Sequence, residues 1–274
     1  MTRNSSADYS ALDRPEVLMS LFHPRKAAGP RDGNGRFQEL LIPVEANVRV
    51  GSRFYTPHPN GPAVLFFHGN GEIVSDYDDI APLFNQLGLN FIVVDYRGYG
   101  CSEGEPTVSA MMADCHRILD FTETWRRENG FTGPLMVMGR SLGSAPALEL
   151  AATCQDRIDG LIVESGFAWS GPLLRLLGVD PERIGLDGSN GFDNIDKIRL
   201  FAKPTLIIHA EFDHIIPFEA GQALYDASGA ADKVLVKIPG ANHNDIFMRG
   251  LERYLDAITA MVRRLPRTQH ANPR

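Results

Sequence analysis

The sequence predicts an α/β protein assembled from parallel βαβ units, and three observations carry that expectation. The chain has 274 residues, of which 43% are hydrophobic and 22% charged, the profile of a soluble globular protein with a large core. From Phe37 onward, apolar runs of strand length alternate with helix-length segments of three-to-four-residue periodicity. A Gly-x-Ser-x-Gly sequence, Gly139 to Gly143, falls at one of the strand-to-helix junctions. Length alone admits two domains or one large α/β domain.

In chain order, residues 1–36 read as a polar N-terminal arm. It holds an amphipathic patch at 15–22 and a turn-rich stretch at 29–35. A single domain is expected over 37–265, with a short C-terminal tail at 266–274. Strands are expected at 39–44, 47–56, 63–67, 91–95, 135–139, 160–164, 205–209 and 234–238, where short runs rich in β-branched and aromatic residues occur. Ser75 with Asp78 reads as a capping box opening a helix that runs to about Leu87, and Gly88 closes it. Met111, Cys115, Ile118, Thr122 and Trp125 recur at helical spacing and line a core face. A last helix over 245–264 would turn Ile246, Leu251, Leu255, Ile258 and Val262 inward. The interval 167–202 is too long for an ordinary strand-to-helix connection and reads as a lid insertion. Its Trp169, Leu173 and Leu177 are candidates to wall an acyl-binding pocket, with packing of a short helix as the plainer alternative. There is no internal repeat and no low-complexity tract.

Composition narrows the partners. A net charge of -7 argues against nucleic acid and anionic membranes, since nothing would neutralise phosphates. The exception, Arg263, Arg264, Arg267 and Arg274, reads as a solvated tail. Cys101, Cys115 and Cys154 are too few and too irregularly spaced for a disulfide framework or a zinc ribbon, which fits a reducing compartment. No apolar run approaches a membrane span, and the first residues lack a signal-peptide pattern. Thr2 stands where N-myristoylation needs glycine, and the chain does not end in a prenylation box. The expectation is a cytoplasmic protein acting on a small molecule, with no integral membrane segment. Oligomeric state is not legible.

The chemistry concentrates at strand ends. A serine on so tight a turn needs residues without side chains two before and two after it, and the turn lifts the hydroxyl to the carboxyl edge of the sheet. Such a hydroxyl needs a base, and the base needs an orienting group. Asp213 just past one late strand and His243 just past the last are the candidates, in the chain order Ser141, Asp213, His243. His214 is the chief competitor to His243. His23, His58, His116, His209 and His270 fit structural roles better, and Asp193, Asp196 and Asp245 are weaker acids for the part. The backbone N–H groups of Asn70, in the loop His68 to Gly71, and of Leu142 are the candidate oxyanion donors, with His68 holding the loop. No P-loop, zincin or zinc-deaminase pattern occurs, and Gly98 with Gly100 lacks the third glycine of a dinucleotide fingerprint. No cofactor or metal is expected.

Together HGNG (68–71), DYRGYG (95–100), GRSLGS (139–144), EFDHIIP (211–217) and GANHND (240–245) resemble the α/β-hydrolase superfamily. In detail they are similar to its serine esterases and acyl-protein thioesterases. The resemblance spans about residues 21–265. It implies a mostly parallel eight-stranded sheet flanked by helices, a Ser141, Asp213 and His243 triad, oxyanion donors at Asn70 and Leu142, and Asp95 and Arg97 as supports of their loop. It further implies hydrolysis of a carboxylic ester or thioester through an acyl-enzyme. A ligand-binding protein without turnover and a serine peptidase are the alternatives. The chain lacks the cysteine-rich acylation segment of membrane-bound relatives, which argues against depalmitoylation at a membrane.

Overall fold

The apolar runs form the strands of one eight-stranded sheet in the computed structural model, which describes residues 8–27, 33, 35–186 and 191–265. The strands are β1 (Gln38–Glu45), β2 (Val48–Tyr55), β3 (Ala63–Phe67), β4 (Asn90–Val94), β5 (Leu135–Arg140), β6 (Gly160–Glu164), β7 (Thr205–Ala210) and β8 (Lys233–Ile238). Their spatial order is β1-β2-β4-β3-β5-β6-β7-β8. β1 and β2 join antiparallel, β2 meets β4 antiparallel, and every other pairing is parallel. The fold is thus the mostly parallel eight-stranded sheet that the motifs implied, with strand ends differing from expectation by a residue or so.

β3 through β7 are buried along their whole length, as strands covered on both faces must be, which is why they read as continuous apolar runs. One face packs on α1 (Pro15–Leu21), α3 (Val108–Glu128), α4 (Ser144–Thr153), α5 (Ser170–Leu176), α6 (Asn194–Leu200) and α7 (Phe218–Ala227). The other packs on α2 (Ala81–Gln86) and α8 (Ile246–Val262). Strand alternation divides the two cores: Leu65 and Phe67 enter the first, Val64 and Phe66 the second. The order reverses at β3, whose successor β4 lies on one side and β5 on the other. That reversal opens a crevice at the carboxyl ends of β3 and β5, where open α/β sheets bind ligands.

Two local expectations are corrected. Ser75 and Asp78 form no capping box for a long helix: Val74–Tyr77 is a 3-10 turn, and α2 starts only at Ala81, with Pro82 in its first turn. Asp78 is drawn away by Arg53 and the Tyr55 hydroxyl, and Asp76 accepts the Ile73 N–H instead (3.1 Å). Gly88 does end α2, in the left-handed conformation. In α8, Leu251 is exposed rather than inward, because the helix breaks its register at Gly250, where a Cβ would stand 2.2 Å from Ile238. Beyond the kink the buried face is Tyr254, Ile258 and Met261.

The 167–202 interval carries α5 and α6, with residues 187–190 of its Gly- and Asp-rich stretch outside the described residues. The expected tail, 266–274, and residues 1–7, 28–32 and 34 of the arm also lie outside them. The described part of the arm is not a loose appendage. Leu12, Val17 and Leu21 are buried in the first core, and the His23 amide donates both to the Asn70 Oδ1 and to the Tyr99 hydroxyl (2.9 Å each). Among the described residues no helix is long and apolar enough to cross a membrane.

Candidate active site

The junction after β5 explains its own glycines. A Cβ on Gly139 would lie 2.1 Å from the Gly143 carbonyl oxygen, and one on Gly143 would lie 2.1 Å from that of Phe67. Backbone cannot yield to such contacts, so only hydrogen fits at both positions. Between them Ser141 takes φ 51°, a left-handed conformation that costs a non-glycine residue about 1–2 kcal/mol. The surrounding packing must over-determine that conformation, and strain of this kind collects at functional sites. The chain then enters a 3-10 turn, Ser141–Gly143, and α4, whose N-terminus contributes positive potential beside the serine.

Three side chains from three strand ends converge here. The Ser141 Oγ lies 3.0 Å from His243 Nε2, and His243 Nδ1 lies 2.7 Å from Asp213 Oδ2. The other Asp213 oxygen accepts the N–H groups of Ile215 (3.0 Å) and Ile216 (2.7 Å). Burial opposes ionisation of Asp213, but the hydrogen bond from His243, with that from the Ile216 N–H, prevails and holds the carboxyl below its usual pKa. An ionised carboxylate only accepts, so Nδ1 of His243 carries the proton and Nε2 presents a lone pair to the serine hydroxyl. His209, fully buried on β7, donates from Nε2 to the Ile216 carbonyl (2.8 Å) and stands 3.6 Å from Asp213, bracing the turn that presents the acid. Burial lowers its pKa, so it stays neutral there.

The loop after β3 is fixed with equal care. His68 donates to Asp95 from Nε2 (3.2 Å) and to the Gly69 carbonyl from Nδ1 (2.8 Å). Burial works against its charge, yet the Asp95 carboxylate raises its pKa overall. Asp95 also accepts the Val74 N–H (2.9 Å), and the Tyr96 hydroxyl donates to the His68 carbonyl (2.6 Å). Asn70 Oδ1 receives the Tyr99 hydroxyl (2.7 Å). Arg97 grips Asp114 with two donors (2.7 and 2.8 Å) and reaches Glu45 with a third (2.7 Å).

Beside the Asp213 turn lies a cavity of ≈ 170 Å³. Trp169, Pro172, Leu173 and Leu176 wall it on one side and His214 to Pro217 on the other. Leu177 is not part of this wall and packs instead against the main core. Leu177 follows the last residue of α5, and its N–H closes the final turn on the Leu173 carbonyl (3.1 Å). His214 faces the cavity, while His243 is the imidazole at the serine. A larger cavity, ≈ 660 Å³ between Phe37, Tyr55, Pro82 and their neighbours, includes none of these strand-end residues. Among the described residues no group of three or more His, Cys, Asp or Glu side chains could hold a metal ion.

Sequence reasoning passed over Arg140, Glu164 and Tyr254, buried directly behind the serine, and the half-buried Glu72 joined to them. The available signal was a charged residue ending each of two otherwise apolar strands, β5 and β6.

Comparison with known proteins agrees with this architecture. A family description, serine aminopeptidase, S33, matches residues 58–180. The human alpha/beta hydrolase domain-containing protein 17B is 31% identical over 222 residues, which cover 78% of this chain and 71% of that protein. Human protein ABHD12B is 26% identical over 253 residues, covering 84% of this chain and 66% of its own length, so the chain spans just under two thirds of that relative. Among solved structures, the Pyrococcus furiosus esterase Pf2001 superposes with a TM-score of 0.70 at 17% identity, over 89% of this chain and 99% of that one. The chain belongs to the α/β-hydrolase superfamily.

Proposed function

We propose that the protein is a serine hydrolase cleaving carboxylic ester or thioester bonds of a small substrate through an acyl-enzyme. The observation that carries this reading is the hydrogen-bonded series Ser141 Oγ, His243 Nε2, His243 Nδ1, Asp213 Oδ2, at 3.0 and 2.7 Å, on a strained turn at the carboxyl edge of the sheet. In the first half-reaction, Ser141 Oγ adds to the substrate carbonyl carbon while its proton passes to His243 Nε2. Asp213 orients the ring and stabilises the imidazolium. The N–H groups of Leu142 and Asn70 are the proposed donors to the oxyanion, and the bonds that pin the Asn70 side chain and the Gly69 carbonyl keep that loop preorganised. Collapse of the adduct returns the His243 proton to the leaving oxygen or sulfur, and water repeats the cycle on the acyl-enzyme.

The cavity between Trp169, Leu173 and the Asp213 turn supports a substrate with a small apolar acyl or alcohol group. At ≈ 170 Å³ it falls below the roughly 300–1,000 Å³ of pockets that take drug-sized ligands. The 167–202 segment would then act as its lid. The S33 description of residues 58–180 favours peptide-bond cleavage as a second reading.

The test is labelling by a fluorophosphonate probe with turnover of p-nitrophenyl esters, thioesters and aminoacyl p-nitroanilides, for the wild type, Ser141→Ala and His243→Ala. Labelling that requires both residues, with ester or thioester turnover, is the expected result. Preference for the anilides would move the protein to the peptidases. Absence of labelling in the folded wild type would make it a binding protein.

A further inference from the structure

Arg140 immediately precedes the serine, and its guanidinium is almost wholly buried. Its donors reach three different segments. Nε donates to Glu72 Oε1 (2.8 Å), and the other oxygen of Glu72 accepts the Gly69 N–H (2.7 Å) and the Tyr77 hydroxyl. Nη1 donates to Glu164 Oε1 (2.6 Å) at the end of β6, and the other oxygen of Glu164 accepts the Tyr254 hydroxyl from α8. Nη2 donates to the backbone carbonyl of His243 itself (2.9 Å). One planar fork therefore ties the loop after β3, the end of β6 and the loop after β8 to the residue beside Ser141.

The chemistry of the cluster suits a rigid brace. Burial opposes the cation, but the two carboxylates hold it charged. Burial also opposes ionisation of Glu72, yet the charge of Arg140 brings its pKa down to about 2. Tyr77 and Tyr254 are pushed up by burial and by Glu72 and Glu164 respectively, so both keep the protons they donate. A lysine could supply the charge, but a compact ammonium lacks the flat fork that spans three directions. Buried ion clusters add little stability over apolar packing of the same volume, so this one is better explained by the geometry it imposes.

We propose that Arg140 is a positioning residue of the hydrolytic centre: through Glu72 and the His243 carbonyl, it sets the spacing between the Gly69–Asn70 loop and the imidazole on either side of Ser141. This rests on the hydrolase reading above, and it assigns Arg140 no contact with substrate.

The test compares wild type, Arg140→Lys, Arg140→Met and Glu72→Gln, each shown folded by circular dichroism. One readout is kcat and KM for p-nitrophenyl acetate. The second needs no substrate: the downfield proton resonance of the His243 Nδ1–H bonded to Asp213, assigned by its loss in His243→Ala. Arg140→Met is expected to lower kcat about 100-fold, the loss that accompanies a misplacement of about 1 Å, with KM unchanged and the resonance broadened by exchange. Arg140→Lys and Glu72→Gln are expected to lose about tenfold in kcat at unchanged KM. Should Arg140→Met fail to fold, those two variants decide the matter. Wild-type kcat in the folded variants, a rise in KM with kcat intact, or an unaltered resonance in every variant overturns the proposal. Wild-type protein that turns over no ester, thioester or anilide and takes no fluorophosphonate label refutes the hydrolase reading alone, and the resonance then decides on Arg140.

Discussion

Asp213→Asn isolates the proposed orienting role of the acid with almost no change of shape. In the wild type, Oδ1 accepts two backbone N–H groups, from Ile215 and Ile216, while Oδ2 accepts from His243. An asparagine must keep its oxygen at the first position, because turning it round would point an NH2 group at two N–H donors. Its NH2 then faces His243 Nδ1 and forces that nitrogen to accept. The ring proton moves to Nε2, opposite Ser141 Oγ, and the imidazole can no longer take the serine proton. Wrong-tautomer substitutions of this kind in serine proteases cost about 10⁴-fold in kcat. At about 1.36 kcal/mol per decade, that is about 5.4 kcal/mol of lost transition-state stabilisation. The assay is kcat for a p-nitrophenyl ester, with nitrogen-15 shifts of His243 reporting the tautomer. A folded variant retaining kcat within a factor of about ten would refute the argument. Stability supplies a second check. Asp213 has a lowered pKa, so its contribution is full above the ordinary carboxylate value and is lost as pH falls through the lowered one. That acid-range loss should shrink in the asparagine variant.

Other expected outcomes follow from the same geometry. Ser141→Gly should melt higher than Ser141→Ala, by up to about 1 kcal/mol, because φ 51° is free of strain only for glycine; equal melting temperatures would contradict the strain. Leu173→Trp, which fills the cavity beside the Asp213 turn, should lower kcat/KM for butyryl relative to acetyl esters by about tenfold or more, and an unchanged ratio would place the acyl group elsewhere. Among the three thiols, Cys154 should react fastest with iodoacetamide and Cys115 slowest. Burial disfavours every thiolate, but His116 Nδ1 at 3.6 Å brings the pKa of Cys154 below normal, while that of fully buried Cys115 is well above it. Mass-spectrometric labelling kinetics that rank Cys101 first would refute this.

How far the site was legible depends on where its information lies. Local rules sufficed for the turn: two glycines flanking Ser141 are a direct record of the carbonyls of Gly143 and Phe67, which leave no room for a Cβ. Chain order marked Asp213 and His243 because parallel strands all end at one edge. Sequence could not indicate that Asp78 would answer Arg53 rather than cap a helix, nor that Gly250 would break α8 and turn Leu251 outward, since both outcomes depend on neighbours far along the chain. The same applies to Leu177, which packs against the main core and not on the cavity wall.

By itself, then, the sequence determined the α/β class, the strands and the candidate residues for the chemistry, because periodicity, glycine placement and side-chain type are properties of short segments. Only the tertiary structure decided that Ser141, His243 and Asp213 stand at 3.0 and 2.7 Å, that the arm closes over Asn70, and that Arg140 braces three segments from behind. Those facts are distances between segments up to about a hundred residues apart. They arise when burial brings the segments together, and no local pattern encodes them.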